Sequence, residues 1–243
     1  EGFKILFRML FKKPKKNDFK SLITHKYGDK ISNLFLINYS EKLWGISADE
    51  LSQKISGKRL KGLDIKTFLI ELVFGKSKKT KHLDGSFYYP KEGIGSLFEE
   101  LANYVGTEKL FLSKKVTQIN HSKHKINSIE INNKDNVSVN QLVSSIPLNV
   151  FISKMNPPAP REIMSIVSQI KFRNVILIVM FINKERINFN GSMYFPSKEF
   201  PFTRIYEPKN RSDYMSPKEK TSLAIEIPCF STDQIWNDND DGI

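Results

Sequence analysis

The spacing of apolar residues changes along the chain from a helical to a strand period, and this change limits the folds available. Residues 1–75 repeat apolar positions at helical spacing, as at Phe19 and Leu22. An amphipathic helix, SLFEELANYVG, is predicted at residues 96–106. From residue 109 onward, β-branched and aromatic residues with partial alternation predict strands. This order predicts an α+β fold, an N-terminal helical region followed by a mixed, mostly antiparallel sheet region, without the βαβ alternation of a doubly wound sheet.

The chain is basic, with 38 Lys and Arg against 26 Asp and Glu and a formal charge of +12. Such an excess favours anionic partners: nucleic acid, phosphorylated substrates or an acidic membrane surface. The basic residues are spread along the chain, however. A bias toward Lys, Asn and Ile also often reflects the base composition of a genome and not a binding function. The two dense runs, KKPKK and KSKKTK, are predicted loops. We therefore expect no nucleic-acid partner, while peripheral contact with a membrane stays open.

Cysteine and histidine usage limits the redox and metal chemistry. Cys229 is the only cysteine, which excludes a disulfide within the chain and favours a reducing, cytoplasmic compartment. The four histidines are scattered without zinc spacing, so no metal site is expected. The longest apolar run, VILIVMFI at 175–182, is too short to span a bilayer.

A Gly-x-Gly pair, Gly93 and Gly95, precedes the predicted helix at 96–106. The dinucleotide fingerprint needs a third glycine where Phe98 stands, and Pro90 interrupts the preceding strand, so the fingerprint fails. Both glycines still permit positive φ and a close approach of the backbone to a ligand. The helix N-terminus suits an anion or a polar ring edge. A plain turn that caps the helix is the alternative.

Several motifs together point to a family. They are, in chain order, NYSEKLWG, FYYPKEGIGSLFEELA, KKVTQI, LVSSIP and NPPAP. This arrangement resembles the middle of FAD-dependent amine oxidoreductases of the protoporphyrinogen oxidase-like and UDP-galactopyranose mutase-like kind, over nearly the whole chain. YSEKLWG with YPKEGIGSLFEEL is fairly specific, whereas KKVTQI and LVSSIP are shared more widely among flavoproteins of the glutathione reductase-like type.

The resemblance implies two interwoven domains, one for FAD and one for the substrate. Residues 1–75 would form the helical part of the substrate domain, and residues 156–243 its antiparallel sheet. Residues 87–155 would form part of a glutathione reductase-like FAD domain. The family's first βαβ unit, with its glycine-rich pyrophosphate site, has no counterpart in the sequence, and neither has its C-terminal segment. We therefore expect a central fragment that alone is inactive and binds little or no FAD.

The same resemblance implies the cofactor-binding positions. Val116 matches the valine whose backbone meets the adenine. Ser145 and Pro147 match the strand end that passes near the flavin. Gly93 and Gly95 match the glycine turn that faces the flavin and the substrate cavity.

Aromatic and basic residues suggest where a substrate binds. An alternating strand places Arg204 and Tyr206 on one side with Phe202, and an arginine beside aromatic rings suits an anionic small molecule such as a carboxylate or a sugar diphosphate. Tyr89 would add to this aromatic wall, and Trp44 would stack on a ligand. The alternatives are a solvated arginine on an exposed strand face and a tryptophan that anchors the core.

The resemblance implies the function of the intact protein. It would be an FAD-dependent oxidoreductase that dehydrogenates a C–N or C–C bond of its substrate by hydride transfer to flavin, with this chain as the central substrate-binding portion. Two alternatives stay open: a sugar-nucleotide mutase-like flavoenzyme without net redox, and a non-enzymatic basic binding module.

Overall fold

The computed structural model describes residue 14, residues 16–56 and residues 87–238. The predicted α+β class is confirmed, since helices come first and two four-stranded sheets follow. The predicted helical region at 1–75 is thus described only in part, and the basic run KSKKTK at 76–81 lies outside the described residues. None of the described helices is long and apolar enough to cross a membrane.

The chain divides into two compact units. One unit combines residues 1–97 with residues 173–243, and the other consists of residues 98–172. These boundaries differ from the domain limits suggested by the family resemblance, whose assignment of 87–155 to an FAD domain stays a prediction.

Helices form the N-terminal part of the first unit: α1 (Phe19–Tyr27), α2 (Asp29–Ile31) and α3 (Asn38–Trp44), with a π-helical stretch at Ser32–Ile37. The Asp18 carboxylate caps α1 by accepting a hydrogen bond from the Ser21 N–H at 2.7 Å. The buried side chains of this region form one hydrophobic core, consisting of Phe19, Ile23, Tyr27, Ile37, Ala48 and Leu51.

Two basic side chains hold helix α3 in place. The Lys42 ammonium donates to the backbone carbonyls of Phe195, Ser197 and Phe202 at 2.7–2.8 Å. The Arg173 guanidinium donates to the carbonyls of Lys42 and Leu43, which belong to the last turn of α3. These carbonyls have no partner within a helix, and a cation there also complements the helix dipole. Burial lowers the pKa of Lys42.

The sheet of the first unit is antiparallel and has the strand order β5-β8-β7-β6. Its strands are β5 (Asn174–Ile182), β6 (Met193–Tyr194), β7 (Arg204–Tyr206) and β8 (Thr221–Cys229). β8 pairs with β5 along all nine of its residues and with β7 on its other side. Cys229, at the end of β8, is only 1% exposed, and burial raises the pKa of its thiol.

The register of these strands separates the two faces of the sheet, because side chains directly opposite each other point to the same side. One row across the sheet is aliphatic, and the row beside it, on the opposite face, is mostly polar. The aliphatic row is Ile178, Ile225, Ile205 and Met193, and the polar row is Leu177, Glu226, Arg204 and Tyr194.

A short segment after β7 ties the neighbouring loops together. The buried Glu207 carboxylate accepts hydrogen bonds from the Thr221 hydroxyl at 2.6 Å and from the backbone N–H groups of Ile187 and Asn188 at 3.1–3.2 Å. Burial alone would raise the pKa of Glu207, but these hydrogen bonds and the nearby Arg186 lower it overall. The Lys209 ammonium donates to three backbone carbonyls of the segment 217–220.

The second unit contains a sheet of order β3-β2-β1-β4, in which β4 is parallel to β1 and the other pairs are antiparallel. The strands are β1 (Val116–Ser122), β2 (Lys125–Ile131), β3 (Asp135–Ser138) and β4 (Met155–Asn156). Helices α5 (Leu148–Ser153) and α6 (Arg161–Ser168) follow β3 and β4. Helix α4 (Gly95–Val105) runs from the first unit into the second, and α7 (Gln234–Asn237) belongs to the first.

One predicted strand is shorter than expected. The pattern NVSVNQLVSSIP predicts a strand up to Pro147, but the strand ends at Ser138 and residues 140–147 form none. Ser145 and Pro147 therefore do not lie at a strand end. Val143 is 98% exposed and Ile146 is 39% exposed, so these two side chains have little packing within the described residues that would hold a strand.

The contacts of Lys42 give a stability prediction. Replacing Lys42 with Met removes the donor to three carbonyls, and we expect the free energy of unfolding to fall by about 2–4 kcal/mol. Urea denaturation followed by tryptophan fluorescence measures this change. The control is Lys198→Met, because the Lys198 side chain is 67% exposed and forms a surface ion pair with Glu41 of α3. Equal midpoints for the two variants would contradict the role of Lys42.

Candidate functional site

The polar row of the first sheet centres on an ion pair between neighbouring strands. Arg204 on β7 and Glu226 on β8 are directly opposite each other. The Arg204 Nε donates to Glu226 Oε2 at 2.8 Å, and a second hydrogen bond joins the guanidinium to the other carboxylate oxygen. These bonds raise the pKa of Arg204 above its ordinary value, and a hydrogen bond with Tyr194 adds to this. The arrangement is a bidentate pair with a fixed geometry.

A second arginine lies close to two tyrosine rings. The Arg211 guanidinium carbon lies 5.1 Å from the centre of the Tyr206 ring and 5.9 Å from that of Tyr89. Arg204 lies 5.2 Å from the centre of the Tyr206 ring. Tyr206 therefore contacts both guanidinium groups, as is typical of cation–π packing.

We call Tyr89, Tyr194, Arg204, Tyr206, Arg211 and Glu226 the arginine–tyrosine cluster. It brings together three of the residues predicted to bind a substrate: Tyr89, Arg204 and Tyr206. The rings continue toward helix α3, because Tyr39 packs edge-on against Tyr194 at 5.6 Å. The cluster thus joins one sheet face, helix α3 and the loop before Pro90.

The two arginines differ in charge balance. Glu226 neutralises Arg204, whereas no ion pair among the described residues involves Arg211. Arg211 is half-buried, so its charge is partly desolvated but still accessible. A cationic side chain that lies beside two aromatic rings and has no carboxylate partner can bind an anionic group. Arg211 is therefore the better anion-binding residue of the pair.

Sequence reasoning missed Arg211, Glu226 and Tyr39. Glu226 is the one acidic residue in the apolar strand TSLAIEIPC, which was a usable signal for a cross-strand partner of Arg204. Arg211 lies in the loop EPKNRSDYM, where no periodicity of the sequence predicts to which side its side chain points. Phe202, predicted on the side of Arg204, lies before β7 and packs with Phe195 and Phe200.

Only one glycine of the Gly-x-Gly pair has a positive φ. Gly93 has φ +95° and is buried, and a Cβ there would come within 2.7 Å of the Met215 sulfur. Gly95 is the first residue of helix α4, has no positive φ, and a Cβ there would meet no described atom within 4 Å. Both glycines permit a positive φ, but only Gly93 adopts one, because the helix begins at Gly95, one residue earlier than predicted.

The other proposed cofactor positions lie in the second unit. Val116 is the first residue of β1, pairs with Ile131 and is half-buried. Ser145 and Pro147 lie in the exposed segment before α5, where the Pro147 carbonyl accepts a hydrogen bond from the Phe151 N–H. Their contact with FAD stays a prediction.

Trp44 is the last residue of helix α3 and is 45% exposed. Gly45 follows with φ +70° and ends the helix, and a Cβ there would come within 2.6 Å of Arg173 and Phe230. The exposed ring is available to a ligand, but stacking of Trp44 on a substrate stays a prediction.

A cavity of about 1120 Å³ lies in the first unit between the loop 185–189 and the segment 213–218. Its lining contains three cations. Arg186 bonds to Asp213 and Asn210, Lys209 bonds to backbone carbonyls, and Lys218 is exposed to solvent. Among the described residues, no group of His, Cys, Asp and Glu side chains could hold a metal ion. The arginine–tyrosine cluster is thus the better candidate for binding an anion.

The comparison with protein families decides the assignment. The model of the flavin containing amine oxidoreductase family matches residues 18–210. The chain belongs to this family. The predicted family is thereby confirmed, and the amine oxidoreductase match includes the cluster residues Tyr89, Arg204 and Tyr206.

Solved structures show the same fold. Reduced UDP-galactopyranose mutase superposes with a TM-score of 0.81 at 18% identity, over 94% of this chain and 50% of that one. A candidate protoporphyrinogen oxidase from an Exiguobacterium species gives 0.68 at 11% identity, over 98% and 52%. An oxidoreductase from Methanosarcina mazei gives 0.59 at 12% identity, over 93% and 50%. The amine oxidoreductase chain spans about half the length of these structures, and at such identities the likeness shows the fold alone.

The two glycines give a paired prediction. Gly93→Ala should lower the free energy of unfolding by about 1–3 kcal/mol, because alanine disfavours positive φ and its Cβ would displace Met215. Gly95→Ala should leave it unchanged or raise it by up to about 1 kcal/mol, because alanine favours the helix. Thermal and urea unfolding measure both. A similar loss in both variants would show that the turn does not depend on Gly93.

Proposed function

We propose that this chain supplies the substrate-binding surface of an FAD-dependent oxidoreductase, which dehydrogenates a small molecule with an anionic group by hydride transfer to flavin. The observation that supports this most directly is the arginine–tyrosine cluster, in which Arg211 lies close to two tyrosine rings without a carboxylate partner among the described residues. Membership in the amine oxidoreductase family supports the flavin chemistry.

Each residue of the cluster has a proposed role. Arg211 binds the anionic group, and its stacking on Tyr89 and Tyr206 limits its movement. Arg204 is a positioning residue, because Glu226 fixes its guanidinium, and the guanidinium lies 5.2 Å from the centre of the Tyr206 ring and limits where that ring can lie. The aromatic rings exclude water from the bound substrate, as flavin oxidation requires.

By analogy with the family, each position proposed for FAD would meet the cofactor through main-chain groups. These positions are the Gly93 turn in the first unit and, in the second unit, Val116 and the exposed segment Ser145–Pro147. The open space beside Gly95 agrees with a close approach of a ligand to this turn. When bound, FAD supplies the hydride acceptor, and the residues of this chain orient the substrate and keep water out.

A sugar-nucleotide mutase is the second candidate. The superposition on UDP-galactopyranose mutase, with a TM-score of 0.81, favours it. A sugar diphosphate also carries the negative charge that Arg211 would bind. The two candidates differ in redox balance: a dehydrogenase leaves its flavin reduced until an oxidant arrives, whereas a mutase returns its product without net consumption of an oxidant.

The first experiment examines the cofactor. The full-length protein that contains this chain should purify yellow, with the absorption spectrum of bound flavin, whereas residues 1–243 expressed alone should retain little or none because they contain no Gly-x-Gly-x-x-Gly motif. Under anaerobic conditions, a dehydrogenase substrate should bleach the flavin persistently. A well-folded, colourless full-length protein would overturn the proposal.

The second experiment examines Arg211. In the full-length protein, Arg211→Met should weaken the binding of pyrophosphate roughly tenfold to a hundredfold, because it removes charge-assisted hydrogen bonds. Isothermal titration calorimetry measures the affinity. Lys198→Met removes an equal charge outside the cluster and should leave the affinity unchanged. Equal affinities in the wild-type and the Arg211→Met proteins would exclude Arg211 as the anion-binding residue.

A further inference from the structure

A short segment of the first unit, residues 211–215, contacts both the arginine–tyrosine cluster and the Gly93 turn. We call this segment the connector, and it contains a 3₁₀-helical turn at Asp213–Met215. At one end, Arg211 contacts the rings of Tyr206 and Tyr89. Each of the four residues that follow contacts either the Gly93 turn, residues 90–93, or the loop 185–189. The proposed anion-binding residue is thus the direct chain neighbour of residues that touch the glycine turn.

The Ser212 hydroxyl joins the connector to the Gly93 turn. It donates a hydrogen bond to the Lys91 carbonyl at 2.5 Å and accepts one from the Tyr214 N–H at 3.4 Å. One side chain therefore caps the 3₁₀-helical turn and also holds a strand of chain that is 121 residues away in the sequence. Only a side chain with a hydroxyl can donate and accept in this way from a single atom.

Two further side chains of the connector contact the same turn. The Met215 thioether packs so closely on the buried Gly93 that a Cβ there would come within 2.7 Å of the sulfur. The Lys91 ammonium lies 3.9 Å from the centre of the Tyr214 ring, as is typical of cation–π packing. The turn therefore has a polar, an apolar and an aromatic contact with three residues of the connector.

The other side of the connector is fixed to the neighbouring loops. Arg186 bonds to both Asp213 and Asn210. The Asn210 amide donates to the carbonyls of Asn188 and Asn190 at 2.9 Å, and the Lys209 ammonium bonds to carbonyls of the segment 217–220. Because both flanks of the connector are held, Arg211 and the Gly93 turn keep a fixed spacing.

We infer that the connector positions the Gly93 turn relative to Arg211, with Ser212 and Met215 as positioning residues. The inference rests on the proposed function, because Arg211 is the proposed anion-binding residue and the family resemblance assigns the turn to the flavin. An anion bound to Arg211 limits the movement of the connector, and the Ser212 hydrogen bond extends this restriction to the turn. The order of the turn thereby depends on the ligand.

Amide hydrogen exchange of the full-length protein tests the contact made by Ser212. The readout is the peptide 87–97, which contains the hydrogen-bonded N–H groups of Gly93, Ser96 and Leu97. Ser212→Ala should make its exchange about twofold to tenfold faster, because a hydrogen bond to the turn is lost. Ser212→Thr should exchange like the wild type, because it keeps the hydroxyl and the extended backbone of this position suits threonine.

Ser216→Ala is the matched control. It removes a hydroxyl from the residue that follows the 3₁₀-helical turn, and this hydroxyl forms no hydrogen bond with the described residues. The exchange of the peptide 87–97 should therefore stay at the wild-type rate. Equal exchange in the wild type and in the Ser212→Ala protein would overturn the inference.

Pyrophosphate separates a positioning role from a merely structural one. Saturating pyrophosphate should slow the exchange of the peptide 87–97 about twofold or more in the wild type. Ser212→Ala keeps Arg211 and should bind pyrophosphate within about threefold of the wild-type affinity, yet lose this slowing, whereas Ser212→Thr should retain it. Equal slowing in Ser212→Ala and the wild type would overturn the inference, and so would a wild-type protein that binds pyrophosphate without any slowing.

Failure of the proposed function gives a different result. A wild-type protein that does not bind pyrophosphate would overturn the anion-binding role of Arg211 and the dependence of the turn on a ligand. The exchange rates without ligand would still decide whether Ser212 positions the turn. A colourless protein with the expected exchange rates would overturn the flavin function alone.

Met215 provides a second, independent pair of variants. Met215→Ala removes the side chain that packs on Gly93 and should also make the exchange of the peptide 87–97 about twofold to tenfold faster. Met215→Leu nearly conserves the volume and should have a smaller effect. A wild-type rate in Met215→Ala would contradict the role of this side chain. Equally faster exchange along β8 would assign the effect to a general loss of stability and would overturn that role as well.

Discussion

The register of β8 is the constraint on which the rest of the first unit depends. Because β8 pairs on both sides, one alignment decides which side chains of three strands share a face. It places Glu226 opposite Arg204 and keeps the neighbouring aliphatic row on the other face. A slip by one residue would move Glu226 into the aliphatic row and leave Arg204 without its carboxylate, which is why a half-polar, half-aliphatic strand of this kind specifies its register strongly.

Polar side chains that bond to backbone carbonyls and amides hold the surrounding loops. Lys42 joins helix α3 to the segment 195–202, and Arg173 binds the carbonyls at the end of the same helix. Glu207 binds backbone N–H groups of the loop at 187–188, and Lys209 binds backbone carbonyls of the segment 217–220. Some of the basic residues that make up the positive net charge thus donate hydrogen bonds to backbone carbonyls within the protein. The net charge therefore overstates how much of the surface is available to anionic partners, whereas Arg211 has an accessible charge.

Local patterns predicted the elements, and non-local pairing determined the site. The run VILIVMFI became β5, and the alternation of Arg204 and Tyr206 placed both on one face, as expected. The lone acidic residue Glu226 in an apolar strand indicated that a cation lies opposite it, but the sequence could not show that this cation is Arg204, since 22 residues and an unknown register separate the two. The strand predicted up to Pro147 was wrong because a strand pattern needs a neighbour to pair with, which the pattern itself does not reveal.

The sequence by itself determined the α+β order and, through its motifs, the amine oxidoreductase family, because hydrophobic period and short motifs are properties of neighbouring residues. Only the tertiary structure decided which arginine pairs with a carboxylate and which one has no ion pair among the described residues. Arg204 and Arg211 have the same side chain, but the neighbouring strand gives a carboxylate to Arg204, whereas Arg211 contacts the rings of Tyr206 on β7 and of Tyr89 in the loop before Pro90. Electrostatic balance depends on distances of a few ångströms between distant parts of the chain, and folding alone sets those distances.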